Sequence, residues 1–382
     1  MAISSDDFQT DKVIPIAAGH FFHDIYTAFL APLLPVLIER LSITLAQTGS
    51  LTAIMQIPAL LNPFIGYLAD KTRVQFFIIL APAVTATLLS SLGFASNYLG
   101  LAMILFAAGI SVAAFHAPAP AMIAHVSGRK VGLGMSLFMA SGELGRTVGP
   151  LLAVWVVSSW TLDGLFPIVI LGWATSLVLF WRLRKVNTQP ARPGSFKAVA
   201  PFLKTLFLPL AMVNLFRNFL LESVSTYLPT YMNQQGASLW IGGAALSILE
   251  LAGVGGALFS GTISDRFGRK WVLLLASLLS TILFLIFLNV QGWFLVPVLL
   301  ILGFVSLSGT PVMMAVVQDH MSENRAIGNG VYMVIAFMLR VISTLTIGWI
   351  GDRYGLRFAF YGSAFINLLT IPFIITLKEL KR

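Results

Sequence analysis

Residues 261–270 read GTISDRFGRK, and the same pattern opens earlier in the chain, where residues 66–71 read GYLADK. In both, a glycine closes an apolar run, an aspartate follows four residues on, and a basic residue comes directly after it. A second echo joins GRKVGLG at 128–134 to ENRAIGNG at 323–330, at nearly the same interval. Polar signatures that recur at one long interval between apolar runs mark a chain built as two copies of one membrane-embedded unit. Such an architecture places a binding site near the bilayer midplane, where the copies meet.

The apolar runs fill in the rest. The 382 residues are 57% hydrophobic and only 10% charged, with a mean hydropathy of +0.88. A soluble domain carries about 25% charged residues, so this is the composition of a polytopic membrane protein. A helical span needs about 20 mostly apolar residues. Such runs fall near 13–38, 46–69, 74–95, 99–124, 131–158, 164–182, 205–231, 239–263, 271–290, 293–317, 328–350 and 357–377. Twelve transmembrane helices and an all-α integral membrane fold are therefore expected. The long basic break at 182–204, RLRKVNTQPARPGSFKAVAPFLK, is a linker between an N-terminal domain, 1–181, and a C-terminal one, 205–382.

Twelve spans put both termini on one side, and the lysine and arginine bias says which. Eighteen basic residues fall at the termini and in the loops on their side, against Arg40, Arg353 and Arg357 opposite. Both termini are thus expected in the cytoplasm of a cell whose inner membrane holds the protein. The formal charge of +9 follows from that asymmetry. It implies a lipid bilayer as partner, with acidic lipid a secondary ligand, and no nucleic acid. The first dozen residues, MAISSDDFQTDK, lack the basic start and cleavage site of a signal peptide, so the first apolar run is expected to stay in the mature protein. The chain has no cysteine, hence no thiolate metal site.

Gly261, Asp265, Arg266, Gly268, Arg269 and Lys270 match throughout the G-x-x-x-D-[RK]-x-G-[RK]-[RK] signature that follows the second span in the major facilitator superfamily. Gly66, Asp70 and Lys71 match in part, with Arg73 in place of the second glycine. At these residues the chain resembles that superfamily. Within it, GHFFHDI at 19–25 and FHAPAPAMIAHVSGRKVGLG at 115–134 look most like the fosmidomycin-resistance branch of bacterial drug exporters. The resemblance implies two pseudo-symmetric six-helix bundles, a gating role for the signature, and a cavity lined by the first, fourth, seventh and tenth spans. It also implies close contact of the fifth and eighth spans. Gly145, Gly149 and Pro150 match part of an exporter pattern for tight helix packing in the fifth span, although Ala153 and Val154 replace its closing glycines. A third match, GWIGDRYGLR at 348–357, falls on the external side and reads as a chance or packing match.

Charged residues inside spans carry the functional expectation. Each costs about 2.5–3.5 kcal/mol at the bilayer centre on insertion scales, and Asp24, Glu143, Arg146, Arg217, Glu222, Glu250 and Arg340 all lie within apolar runs. At 100° per residue, His20, His23, Asp24 and Thr27 share one face of the first span, the pattern of a cavity wall. Asn214, Arg217, Asn218 and Ser225 form a similar arc on the seventh, with Glu222 at its edge. Asp24 is expected to exchange the proton, with His20 and His23 tuning or relaying it. Thr27, His116, Asn214, Arg217, Asn218, Glu222 and Arg340 are expected to line the substrate cavity.

Local readings stand beside these. Glu143 and Arg146, three residues apart, form either a helix-surface ion pair or, with Glu250, a midplane network. Arg340 either pairs with Glu222 or awaits an anionic ligand. His116, before two prolines, either joins the cavity or satisfies freed carbonyls. No glycine-lysine phosphate loop, G-x-S-x-G or H-E-x-x-H occurs, so neither ATP-driven transport nor hydrolysis is expected. The reading is a secondary transporter, not an enzyme, acting as a monomer. It would export a small organic, anionic or drug-like compound by proton antiport and alternating access, with the proton gradient in place of a cofactor and no resident metal. Uptake of a small organic anion, and divalent metal transport through the His20, His23 and Asp24 stripe, are the alternatives.

Overall fold

A backbone inside hydrocarbon must satisfy its own N–H and C=O groups, and runs of this length do so as helices. The computed structural model of the protein describes residues 7–61, 75–186, 196–321 and 325–377, and among them there is no strand. Gly66, Asp70 and Lys71 lie outside the described residues, as does the middle of the 182–204 linker.

The N-terminal half holds α1 (Thr10–Thr27), α2 (Leu30–Leu41), α3 (Leu45–Gln56), α4 (Gln75–Ser90), α5 (Tyr98–His116), α6 (Ala119–Val126), α7 (Val131–Trp160) and α8 (Val169–Leu183). The C-terminal half holds α9 (Leu208–Ser225), α10 (Leu228–Gln234), α11 (Leu239–Phe267), α12 (Arg269–Phe287), α13 (Leu295–His320), α14 (Arg325–Tyr354), α15 (Leu356–Leu368) and α16 (Thr370–Thr376).

Ten helical stretches among the described residues are long and apolar enough to cross a membrane. Two of the twelve expected spans are not in that set. One begins as α3 and runs into residues outside the description. The other is α7, whose 30 residues reach about 45 Å but carry Glu143, Arg146 and several glycines and serines that dilute its hydropathy.

Two compact units emerge from the packing. One comprises residues 1–42 and 54–192, the other residues 43–53 and 193–382. The first has a core of Val13, Ile16, Ile78, Phe115, Met122, Phe138 and Leu179, all buried. The second buries Leu210, Val213, Leu273, Val312, Met313 and Tyr332. Large apolar side chains cover the outside: Trp173, Trp181, Trp271, Phe267 and Trp293 are all more than half exposed. Such a surface is unfavourable in water and suits lipid.

One contact sets the first unit's geometry. A Cβ on Gly145 would fall 2.4 Å from the Phe21 carbonyl, and one on Gly149 2.4 Å from that of Ile25. Only glycine lets α7 approach the α1 backbone this closely, the small-residue packing of membrane helices. That approach brings the polar face of α1 into the bundle interior.

Candidate functional site

On α1 the polar face turns inward. His20 is 4% exposed, His23 0% and Asp24 6%, and three imidazoles surround the one carboxylate. His23 Nδ1 lies 3.0 Å and His116 Nε2 3.2 Å from Asp24 Oδ1, while His20 Nε2 lies 3.4 Å from Oδ2. His116 ends α5, where Ala117 and Pro118 separate it from α6. The break delivers its ring to Asp24, while a third of its side chain remains exposed. Among the described residues no lysine or arginine lies within ion-pair distance of Asp24.

Hydrogen-bond partners fix much of the proton inventory. His20 Nδ1 is 2.7 Å from the Phe138 carbonyl, which can only accept, so Nδ1 carries the proton. The opposite nitrogen, Nε2, is buried without a hydrogen bond and faces Asp24 Oδ2. With Asp24 ionised and His20 neutral, a lone pair confronts a carboxylate. One further proton in that gap turns the confrontation into a hydrogen bond, whichever atom holds it.

His23 extends the system. Its Nε2 is 3.2 Å from Thr85 Oγ1, which donates to Ser111 Oγ at 2.7 Å, and Ser111 reaches the Ala81 carbonyl at 3.2 Å. In that direction the chain makes His23 Nε2 a donor, so His23 Nδ1 accepts from a protonated Asp24 or the ring is doubly protonated. The reverse direction suits an ionised Asp24. The rings are held flat, His23 stacked on Phe115 at 4.4 Å and His20 on Phe138 at 4.0 Å.

Of the residues read from sequence, His20, His23, Asp24 and His116 come together. Thr27 does not join them through its hydroxyl, which donates to the Asp24 carbonyl. Glu143 and Arg146 form the local i,i+3 ion pair. Glu250 is half-buried on α11. Thr85, Ser111, Phe115 and Phe138 escaped the sequence reading. For Ser111 the available signal was a lone hydroxyl within an apolar run, whereas Thr85 shares its run with Thr87, Ser90 and Ser91.

The second unit holds a separate polar group on α9. Arg217 is 7% exposed and donates to the Ser306 carbonyl at 2.6 Å and to Thr310 Oγ1 at 3.2 Å, both on α13. Among the described residues no carboxylate lies within ion-pair distance of it. Asn214 accepts from Tyr332 at 3.4 Å, and Asn218 Nδ2 is buried without a hydrogen-bond partner among the described residues. Glu222, 1% exposed, pairs with Arg340 and accepts from Thr226 at 2.8 Å and Thr344 at 3.0 Å. Of the two readings for Arg340, pairing with Glu222 is the one observed. In the signature, Arg269 bridges Asp265 at 2.7 Å and Asp319 at 3.1 Å. Lys270 donates to the Ile375 carbonyl, and Arg266 lies over the Phe267 ring.

Long lipid-facing helices around buried ionisable groups define a multi-pass membrane transporter. The model of the Major Facilitator Superfamily matches residues 16–266 and 243–381, and the chain belongs to that family. It is a transporter and not an enzyme. Its likeness to the fosmidomycin-resistance branch is borne out: it is 23% identical to the fosmidomycin resistance protein of Escherichia coli (strain K12) over 93% of this chain and 89% of that one. It is also 22% identical to the multi-drug resistance efflux pump PmrA of Streptococcus pneumoniae, over 72% of each. Among solved structures, a bacterial homologue of the human lysosomal transporter Spinster, inward-facing and occupied, superposes with a TM-score of 0.82. That match covers 96% of each chain at 14% identity.

Proposed function

We propose that the protein exports a small organic compound with anionic or drug-like character in exchange for protons, by alternating access. Its place would be a cell's inner membrane, with both termini cytoplasmic and one chain sufficient. The observation that carries the reading is the gap between His20 Nε2 and Asp24 Oδ2. The Phe138 bond fixes the tautomer of His20, and no fixed cation lies within ion-pair distance of Asp24 among the described residues, so the charge of the cluster changes with its protons.

Arg217 supports the anionic character of the substrate. A buried guanidinium that, among the described residues, is held by neutral oxygens alone is unsatisfied in charge, and a carboxylate or phosphate oxygen would complete it. Export is favoured over uptake by the two resistance-type relatives. The gradient would replace any cofactor.

The test is flux in inverted membrane vesicles against a panel of organic anions and antibiotics, with the pH gradient imposed and then collapsed. Accumulation that survives collapse of the gradient would overturn proton coupling. Divalent cation transport is the second reading, because ligand atoms of His20, Asp24 and His116 lie within 4.8 Å of one another. Zinc, nickel and cobalt belong in the same panel. Their transport, with no organic compound moved, would put that reading first.

A further inference from the structure

The third occurrence of the pattern, GWIGDRYGLR at 348–357, has no place in the transport reading above. Its turn matches that of GTISDRFGRK: Gly355 joins α14 to α15 at φ +83°, as Gly268 joins α11 to α12 at φ +93°. The aspartates behave differently. Asp265 pairs with Arg269 on the helix that follows its own turn. Asp352 instead accepts from the Leu45 N–H at 2.7 Å through Oδ1 and from the Ala46 N–H at 2.8 Å through Oδ2, 307 and 306 residues away.

Those two residues open α3. A helix start leaves its first N–H groups without intrahelical partners, and here each has a named acceptor. Thr44 and Gln47 form a capping box, Thr44 N–H to Gln47 Oε1 at 2.9 Å and Gln47 N–H to Thr44 Oγ1 at 3.2 Å. The local sequence thus satisfies two donors, and the distant carboxylate satisfies the remaining two. The negative charge also meets the positive end of the helix.

Behind this exposed contact lies a buried one. Tyr227, 0% exposed, sits between α9 and α10 and donates its one proton to the Thr344 carbonyl at 2.9 Å, shared with the Leu45 carbonyl at 3.3 Å. The helices close tightly around its hydroxyl, since a Cβ on Gly49 would stand 2.5 Å from it and one on Gly348 2.6 Å. Thr344 is also the residue whose hydroxyl reaches Glu222.

The segment so held is a piece of the first sequence repeat. Residues 43–53 pack within the second unit, whereas Ser42 and Ile54 belong to the first. Ser42, at the junction, has φ +50°, a left-handed conformation unfavourable for a residue with a Cβ. A strained junction beside a contact of two charge-assisted hydrogen bonds in reach of water is a place where a structure can let go and re-form.

We propose that Asp352 and Tyr227 form a latch that grips the Ile43–Ala53 segment in one state of the transport cycle and releases it in the other. By the charge bias of the loops, the latch lies at the membrane face opposite the basic ones. The exposed carboxylate is the releasable half, because water can replace it at both N–H groups. The buried phenol fixes the register on closing. The proposal rests on membership of a family that works by alternating access, and not on proton coupling or on any substrate.

The chain has no cysteine, so a single introduced thiol reports the latch directly. Thr48→Cys places it on the gripped segment at a position 0% exposed. Labelling by a membrane-impermeant maleimide added outside intact cells is expected to be slow in that background. Asp352→Asn and, separately, Tyr227→Phe should each speed it about threefold to tenfold, a shift of roughly 0.7–1.4 kcal/mol in the closed state's favourability. Ser277→Cys, buried on α12 away from the latch, should label no faster in either variant. Unchanged labelling at position 48 in both variants overturns the latch. So does an equal rise at position 277, which reports general loosening, and so does labelling at position 48 from the cytoplasmic side alone.

Discussion

The Nδ1 atom of His20 gives its proton to the Phe138 carbonyl, 2.7 Å away, and that one bond decides which edge of the ring meets Asp24. Because the carbonyl cannot donate, the imidazole cannot flip its tautomer to offer an N–H toward the carboxylate while staying neutral. At this pair of atoms a further proton would be held by charging His20 or by neutralising Asp24.

Asp24→Asn should therefore separate coupling from binding. The amide keeps the size and can donate to His20 Nε2, but it can neither take up nor release a proton. Gradient-driven accumulation is expected to fall at least about tenfold, the loss of more than ~1.4 kcal/mol of driving force, while exchange of substrate without a gradient persists. Vesicle assays with and without a pH gradient check this. Full accumulation by the variant would remove Asp24 from the mechanism.

His23 and Thr85 act at one remove. Their contact at 3.2 Å links Asp24 to the hydroxyl chain of Ser111, so its loss should alter how readily the cluster takes a proton more than how fast the cycle runs. A typical hydrogen bond is worth about 1 kcal/mol net, which corresponds to roughly 0.5–1 unit in the pH optimum. His23→Gln and Thr85→Val are each expected to move the optimum by that amount with the maximum rate largely kept. A rate measured from pH 5 to 8 decides it; a lowered maximum at an unmoved optimum would make both residues structural.

Arg217 carries the prediction about substrate charge. A lysine retains the charge but not the planar fork that reaches the Ser306 carbonyl and Thr310 together and would grip an anion in two places. Arg217→Lys should raise KM for anionic compounds about tenfold or more, ~1.4 kcal/mol or above, with little effect on neutral ones. Equal effects on both classes would deny Arg217 a role in recognising charge.

Much of this was legible in the sequence because membrane physics is blunt. Apolar runs of fixed length must be helices, and ionisable residues within them must face inward, so Asp24, His20, His23, Arg217 and Glu222 declared themselves. The repeated glycine–aspartate signature gave the family. Partners across space were less legible. Phe138 contributes only a backbone carbonyl to His20, and a carbonyl has no sequence signature. Asp352 reads as part of a turn motif, and nothing near it in the chain announces Leu45 and Ala46 as its donors. At α7 the sequence reading of a span at 131–158 coincides with a 30-residue helix, although the glycines that admit α1 also lower the hydropathy that marks a span.

The signature itself yields the last prediction. Arg269, mostly buried, holds Asp265 at 2.7 Å and Asp319 at 3.1 Å and donates to the Gly261 carbonyl at 3.3 Å. It ties the end of α11 to the end of α13 at the basic, expected cytoplasmic, face. Both carboxylates are part-exposed, so each bond alone is worth little, about 0–1 kcal/mol. The arrangement matters as a unit, because one guanidinium serves four acceptors on two helices, Ser264 Oγ being the fourth. Asp265→Asn and Asp319→Asn are each expected to bias the protein toward its inward-open state, and Arg269→Ala to do so about as strongly as both together. Labelling of Thr27→Cys, at a position expected to line the cavity, from the cytoplasmic side measures the bias. Additive effects of all three substitutions would show that the residues act separately. No change in labelling with any of them would leave the signature a determinant of topology and of the turn at Gly268.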